Sequence, residues 1–326
     1  MKLWTFFFLM LTLSSCFRLV SDDLPSNPPK LVVNSLFTPD SVFTLYVAQT
    51  RSFNDQLQSD TILWVNDAVC SLYVDGSFLE VLQNTGEGRY VSPSAYRPQA
   101  GHQYGIAIWH KTLGKAEAQS SVPQLPHLLE FKKQDTAVYL PDLLDFDIPD
   151  GSPSKLGRID LSYSKGGSDY LQIISRQTYA GYWIYGCWNC HQDSLIVAQR
   201  LVPLYLPQQQ ENIFTYNFTI LVDCKDTVEH LSLFSDEYFL PYSDYLFKNI
   251  SLELRGLSKE MFAYYKSLTR ISESTVMGNY EPVTYYSNVE GGYGIFAGYS
   301  SVFDTISYPV SLDSVVLEHL DEWESF

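Results

Sequence analysis

The stretch Ala68-Val69-Cys70-Ser71-Leu72-Tyr73-Val74-Asp75-Gly76-Ser77-Phe78-Leu79-Glu80-Val81-Leu82-Gln83 decides the fold class. Two runs rich in β-branched and aromatic residues, 68–74 and 78–83, flank Asp75-Gly76. That dipeptide accepts the two positive φ angles of a tight hairpin turn, so the stretch reads as two paired strands. Similar runs recur outward from it at 31–37, 43–49, 88–91 and 104–109, with turn residues between them and no helical period. This spacing predicts an immunoglobulin-like antiparallel β-sandwich over residues 30–122.

The connection out of that unit begins at Val122-Pro123-Gln124-Leu125-Pro126. Residues 123–326 form a second β-rich domain, with strands expected at 158–164, 170–176, 214–222, 230–235 and 251–257. One α-helix is expected near 258–272. Ser258 caps it, Glu260 suits its first turn, and Met261, Tyr264, Tyr265 and Leu268 share one face. That aromatic stripe is core rather than a ligand box. Gly291-Gly292-Tyr293-Gly294 lacks the Lys-Ser/Thr of a phosphate loop and the spacing of a dinucleotide fingerprint, so it marks a bend or bulge in a strand.

Lys2 precedes an apolar run over 3–13, broken by Thr5 and Thr12, and then comes Ser14-Ser15-Cys16. The run is too short to span a bilayer, which sets aside an uncut anchor helix. Residues 1–15 read as a lipoprotein signal peptide, a bacterial signal type, with cleavage before Cys16 and acyl chains (palmitate) on that residue. Leu24-Pro25-Ser26-Asn27-Pro28-Pro29 makes 16–29 a semi-rigid lipidated tether. Asp22 and Asp23 resemble the acidic mark that sends Bacteroidota lipoproteins to the cell surface. The expected location is the outer membrane, lipid-anchored and surface-exposed. No second apolar stretch approaches 18 residues, so the lipid is the only expected membrane attachment.

Composition narrows the function classes. Hydrophobic residues make up 45% and aromatic residues 15% of the chain, which excludes a disordered protein. The formal charge of −16 excludes nucleic acid as a partner and disfavours anionic lipid surfaces.

With Cys16 lipidated, Cys70, Cys187, Cys190 and Cys224 remain, enough for two disulfides with three alternative pairings. Cys187-Trp188-Asn189-Cys190-His191 has the literal spacing of covalent haem attachment. It lies among Tyr-rich strands with no evident second iron ligand, so oxidation to disulfide is preferred over haem, zinc or thiol exchange. Asp142, Asp145, Asp147 and Asp150 could bind calcium, yet the Gly and bidentate Glu of a dedicated loop are missing, which favours a solvated loop. No metal or cofactor is expected, and no zincin, nucleophile-elbow or phosphate-loop motif occurs.

A triplet of Asp, then Ser or Thr, then a small or apolar residue places candidate acceptors at Ser41, Thr61, Thr136, Ser194, Thr227, Thr305 and Ser314. Roughly one or two such triplets would arise from composition alone. The pattern resembles the acceptor of Bacteroidota O-glycosylation. The competing explanation is local, with Asp ending a turn and a β-branched residue opening a strand. Thr61 and Thr136 sit in polar, loop-like sequence.

Lys30-Leu31-Val32-Val33-Asn34, Thr38-Pro39-Asp40, Gly88-Arg89-Tyr90-Val91-Ser92-Pro93 and Pro98-Gln99-Ala100-Gly101-His102-Gln103-Tyr104 occur in that order, followed by Leu257-Ser258-Lys259-Glu260 and 286–300. In these motifs and their order the chain resembles the Bacteroidota outer-membrane lipoproteins of domain-of-unknown-function family 4249. The resemblance implies a location and a TonB-dependent outer-membrane transporter as partner. It supplies no catalytic residues.

The expected function is therefore a non-enzymatic accessory or binding lipoprotein beside such a transporter, its ligand unspecified. The alternative is an extracytoplasmic hydrolase acting on glycan or peptide through carboxylates that the fold brings together. A cleft holding paired buried carboxylates would favour the enzyme; a flat aromatic face would favour binding.

Overall fold

The structure, a computed structural model, describes residues 28–51, 61–137, 155–183, 194–202, 204–206, 210–235, 245–276 and 284–309. Within these, β1 (Leu31–Phe37), β2 (Thr44–Gln49), β3 (Val69–Val74), β4 (Ser77–Val81), β5 (Gln83–Asn84), β6 (Arg89–Val91), β7 (Gln103–His110) and β8 (Gly114–Ser121) come first. β9 (His127–Ala137), β10 (Lys155–Ser164), β11 (Tyr170–Trp183), β12 (Ser194–Leu201), β13 (Leu204–Tyr205), β14 (Ile213–Tyr216), β15 (Thr219–Asp223), β16 (Val228–Ser235) and β17 (Tyr245–Leu257) follow. The helix α1 (Lys259–Val276) and β18 (Tyr293–Pro309) close the series. The fold is mainly β, as the alternating runs predicted.

Three sheets are formed among the described residues. A ten-stranded sheet runs β14-β15-β11-β17-β18-β1-β2-β6-β5, with β12 added on β11; the others run β13-β16-β10-β9 and β4-β3-β7-β8. The first core lies between β1, β2 and β6 on one side and β3, β7 and β8 on the other, where Leu31, Val33, Phe43, Leu45, Leu72 and Ile108 are buried. Its periphery is tied by Tyr90, whose hydroxyl donates to the Val65 carbonyl and accepts from Ala68 N–H, both at 3.0 Å. The buried ring thus pins the segment crossing from one layer to the other. The second core packs Ile159, Leu161 and Leu233 against Leu171, Ile173, Leu252 and Leu254.

The Asp75-Gly76 turn forms as predicted, with φ of 49° and 77° at its two residues. α1 also begins where expected. The Ser258 hydroxyl accepts from Met261 N–H at 3.3 Å, and Glu260 accepts from Ser120 Oγ at 2.7 Å, tying the helix to β8. Its buried face holds Met261, Tyr264 and Tyr265 of the expected stripe and is widened by Phe262, which stacks on Tyr170 with centroids 4.4 Å apart.

Some expectations need correcting. The run 214–222 is a hairpin rather than one strand, turning at Asn217 and Phe218 with φ of 43° and 65°. A phenylalanine at positive φ is uncommon and gave no turn signal. β8 escaped detection because its inward residues are Ala116, Ala118 and Ser120, too small to make an apolar alternation. β18 is the strand whose irregular start Gly291–Gly294 marks, but its partners gave no sequence signal: it pairs parallel with β1 and antiparallel with β17. It thereby joins strands from both ends of the chain into one sheet, and Val289 and Phe296 enter the first core beside residues 31–122.

The cysteine expectation is also corrected for two residues. Cys70 and Cys224 are free, buried thiols in separate cores. Each replaces a small hydrophobe among strand side chains, and burial pushes both thiols up to about 12. Two disulfides from the four cysteines are therefore not formed. Cys187 and Cys190 lie outside the described residues.

Candidate ligand groove on the outer sheet

Alternation along β3, β7 and β8 sends one set of side chains into the first core and the other set outward. On the outer face the register aligns Tyr73 with Gly105 and Gln119, and Ser71 with Ala107 and Glu117. Gly105 and Ala107 are the smallest side chains of β7, so the sheet is depressed along its middle. The result is a groove of about 610 Å³, open to solvent. Its floor is Gly105 and Ala107, one wall is Tyr73, and the other carries Glu117, Gln119, Asn288 and Glu290.

The second wall is built by chain arriving from the far end of the sequence. Glu117 N–H donates to the Glu290 carbonyl at 3.0 Å and Glu290 N–H returns a bond to the Glu117 carbonyl at 2.8 Å. One antiparallel bridge therefore adds residue 290 to the free edge of β8. Asn288 fixes the approach by donating to the Gln119 carbonyl at 3.1 Å and engaging the backbone of Phe296. At the opposite end, Asp75 accepts from Gln103 N–H at 3.0 Å and meets His102 Nδ1 at 2.6 Å. These bonds hold the Asp75 carboxyl below the usual carboxylate range, Gln103 first and His102 second.

The groove presents an aromatic ring, amides and two carboxylates. Glu117 and Glu290 are exposed, and Glu117 is paired with Lys115 at 2.7 Å, so neither is a desolvated acid of the kind that protonates a leaving group. Among the described residues the most buried charge is Glu253, 3% exposed, clamped between Arg176 and Arg255. Arg255 also covers the Tyr299 ring at 4.7 Å. Both guanidinium groups are committed to that carboxylate, a structural ion triad rather than a reactive centre. Ser162 with His230 and Asp160 with Ser232 form cross-strand hydrogen-bonded pairs between β10 and β16, with Ser162 buried and only His230 exposed. No group of three His, Cys, Asp or Glu at metal-binding distance occurs among the described residues.

The chain matches the family model described as "Domain of unknown function (DUF4249)" over residues 18–303. It belongs to that family. No curated protein matches it. A solved structure titled "Crystal structure of CBD12 from CALX1.2" aligns at 8% identity over 84% of this chain and 100% of that one, with a TM-score of 0.15, a likeness that carries no argument.

Those residues singled out from sequence that lie among the described residues are not brought together. Ser41, Thr61 and Thr227 are exposed outside the strands, and Thr305 is exposed within β18. Thr136 pairs with Leu156 inside β9 and so is not in a loop, and Ser194 opens β12 opposite Trp183. Cys16, His191, Ser314 and Asp142, Asp145, Asp147 and Asp150 lie outside the described residues. The groove residues carried no motif of their own. The signal for them was the small pair Gly105 and Ala107 inside an otherwise bulky strand.

Proposed function

We propose that this protein is a surface-anchored outer-membrane lipoprotein that binds its ligand without converting it and works beside a TonB-dependent transporter. The observation that carries the binding reading is the open groove over Gly105 and Ala107, walled by Tyr73 and by Gln119 and Asn288. An aromatic face with planar amides suits a ligand held by stacking and hydrogen bonds. The anchor and location rest on the Lys2-to-Cys16 pattern and on Asp22 and Asp23. The transporter rests on the family resemblance.

Purification of the protein from its native outer membrane in mild detergent, followed by mass spectrometry, is expected to return a TonB-dependent barrel reproducibly. Repeated absence of a barrel overturns the partnership. Cys16→Ser is expected to leave the membrane fraction, and a mutant that stays tightly bound overturns the anchor. Binding is read by thermal shift against panels of soluble glycans and peptides, with Ala107→Arg filling the groove. A ligand that shifts both proteins equally binds elsewhere.

A further inference from the structure

The end of the first sandwich at which β1 begins carries a ring of exposed apolar side chains that neither core uses. Register places them at one end of the strands of the two facing sheets. Leu31 pairs with Gln49, whose N–H donates to the Leu63 carbonyl at 3.0 Å, and Trp64 bridges to Ala48. In the facing sheet Val69 pairs with Trp109, and Trp109 with Lys115. Tyr293 pairs with Val32 on the other flank, and the Lys30 ammonium lies 5.3 Å from its ring centroid. Ile62 is 58% exposed, Trp109 56% and Tyr293 50%, with Leu63, Trp64 and Val69 also open to solvent. The opposite end of the same sandwich, around Phe37 and Ser121, is instead packed against Gly298 of β18.

We propose that this end rests on a lipid surface, with Trp64, Trp109 and Tyr293 at headgroup depth and Ile62 and Val69 just below them. The inference builds on the lipid-anchor reading of Cys16. Thirteen residues lie between Cys16 and Lys30, a reach of no more than about 50 Å even if fully extended, and they deliver the chain to this end of the fold. An anchored domain is thereby held at high effective concentration over the bilayer with this face nearest to it. Trp and Tyr favour the membrane–water boundary because the ring is apolar and its N–H or O–H stays hydrated. Lys30, Lys111 and Lys115 stand at the same end, the latter two paired with Asp67 and Glu117. Because the whole chain carries −16, attraction to anionic lipid does not drive the contact; burial of the rings does. The groove then runs up the outer sheet away from the membrane, from Glu117 and Glu290 near the surface to Tyr73 and Gln103 at its far end.

The test uses the full-length acylated protein in phosphatidylcholine vesicles containing brominated acyl chains, which quench nearby tryptophan. Native protein is expected to be quenched, and Trp64→Phe/Trp109→Phe to lose at least about half of that quenching while binding the vesicles equally, since Phe keeps the apolar contact and removes the reporter. Equal quenching in both proteins, or none in either while both sediment with vesicles, overturns the docking and leaves the anchor standing. Failure of the native protein to sediment with vesicles overturns both readings. If vesicle-bound protein is unquenched and a photo-crosslinker at position 109 captures a barrel in native membranes, the face belongs to a protein partner and the lipid proposal is wrong.

Discussion

The side chain of Asn288 satisfies both backbone groups of Phe296: Nδ2 donates to the Phe296 carbonyl at 2.7 Å, and Oδ1 accepts from Phe296 N–H at 3.0 Å. The same Nδ2 donates to the Gln119 carbonyl at 3.1 Å. One amide therefore stands between β8 and β18 where no strand runs, and it holds the groove wall to the first core through the buried Phe296 ring.

Asn288→Ala removes these bonds and leaves backbone groups of Phe296 and Gln119 without partners. The expected loss is about 2–4 kcal/mol in urea unfolding. A loss within experimental error of wild type would show that water replaces the amide without cost.

Gly294 lies in β18 with φ of 115°, and a Cβ there would stand 1.9 Å from the Val33 carbonyl oxygen. Gly294→Ala is expected to cost at least about 3 kcal/mol, or to prevent folding, because β1 and β18 must separate. Gly76→Ala is the control. It has φ of 77° and nothing within 4 Å, so only the left-handed backbone cost of about 1–2 kcal/mol is expected. Equal melting temperatures for the two variants would contradict the close approach of β1 and β18.

Asp75 links the hairpin turn to Gln103 and His102, and its carboxyl is held below the ordinary value of 3.8. A depressed acid stabilises the fold above its unfolded pKa and ceases to do so as pH falls through the native one. Wild-type stability is thus expected to decline below about pH 4, and Asp75→Asn to show a shallower decline there. Parallel curves of unfolding free energy against pH for the two proteins would remove Asp75 from the acid response.

Buried thiols at Cys70 and Cys224, pushed up to about 12, should resist alkylation. Iodoacetamide at pH 8 is expected to leave both unmodified in the native protein and to modify both after denaturation without reductant, read by peptide mass spectrometry. Protection that persists in denatured, unreduced protein would mean that they are oxidised.

If the Asp-Ser/Thr triplets record glycosylation, protein from its native host should exceed the mass of polypeptide plus acyl chains. Thr227→Ala and Thr61→Ala should remove discrete glycan masses, since both residues are exposed outside the strands. An intact mass equal to the acylated polypeptide leaves only the turn-and-strand explanation, which Asp226-Thr227 before β16 illustrates.

The sequence by itself determined what is local. Asp75-Gly76 dictated its turn because both residues tolerate positive φ, Ser258 its helix start because a hydroxyl replaces a missing backbone partner, and alternation marked β1, β2, β3 and β7. What depended on distant partners was not legible. Cys70 and Cys224 looked pairable until the fold put them in separate cores, and β8 hid behind alanines whose burial is decided by the opposing sheet. The groove was decided by tertiary structure alone. Its floor is set by two small residues of β7 and its wall by Asn288 and Glu290, some 180 residues later, brought to the free edge of β8 by a parallel pairing of β1 and β18. Parallel pairing needs a long crossover, so no short-range signal specifies it; it forms because Gly294 lets the two backbones meet and because Phe296 fills the core beneath.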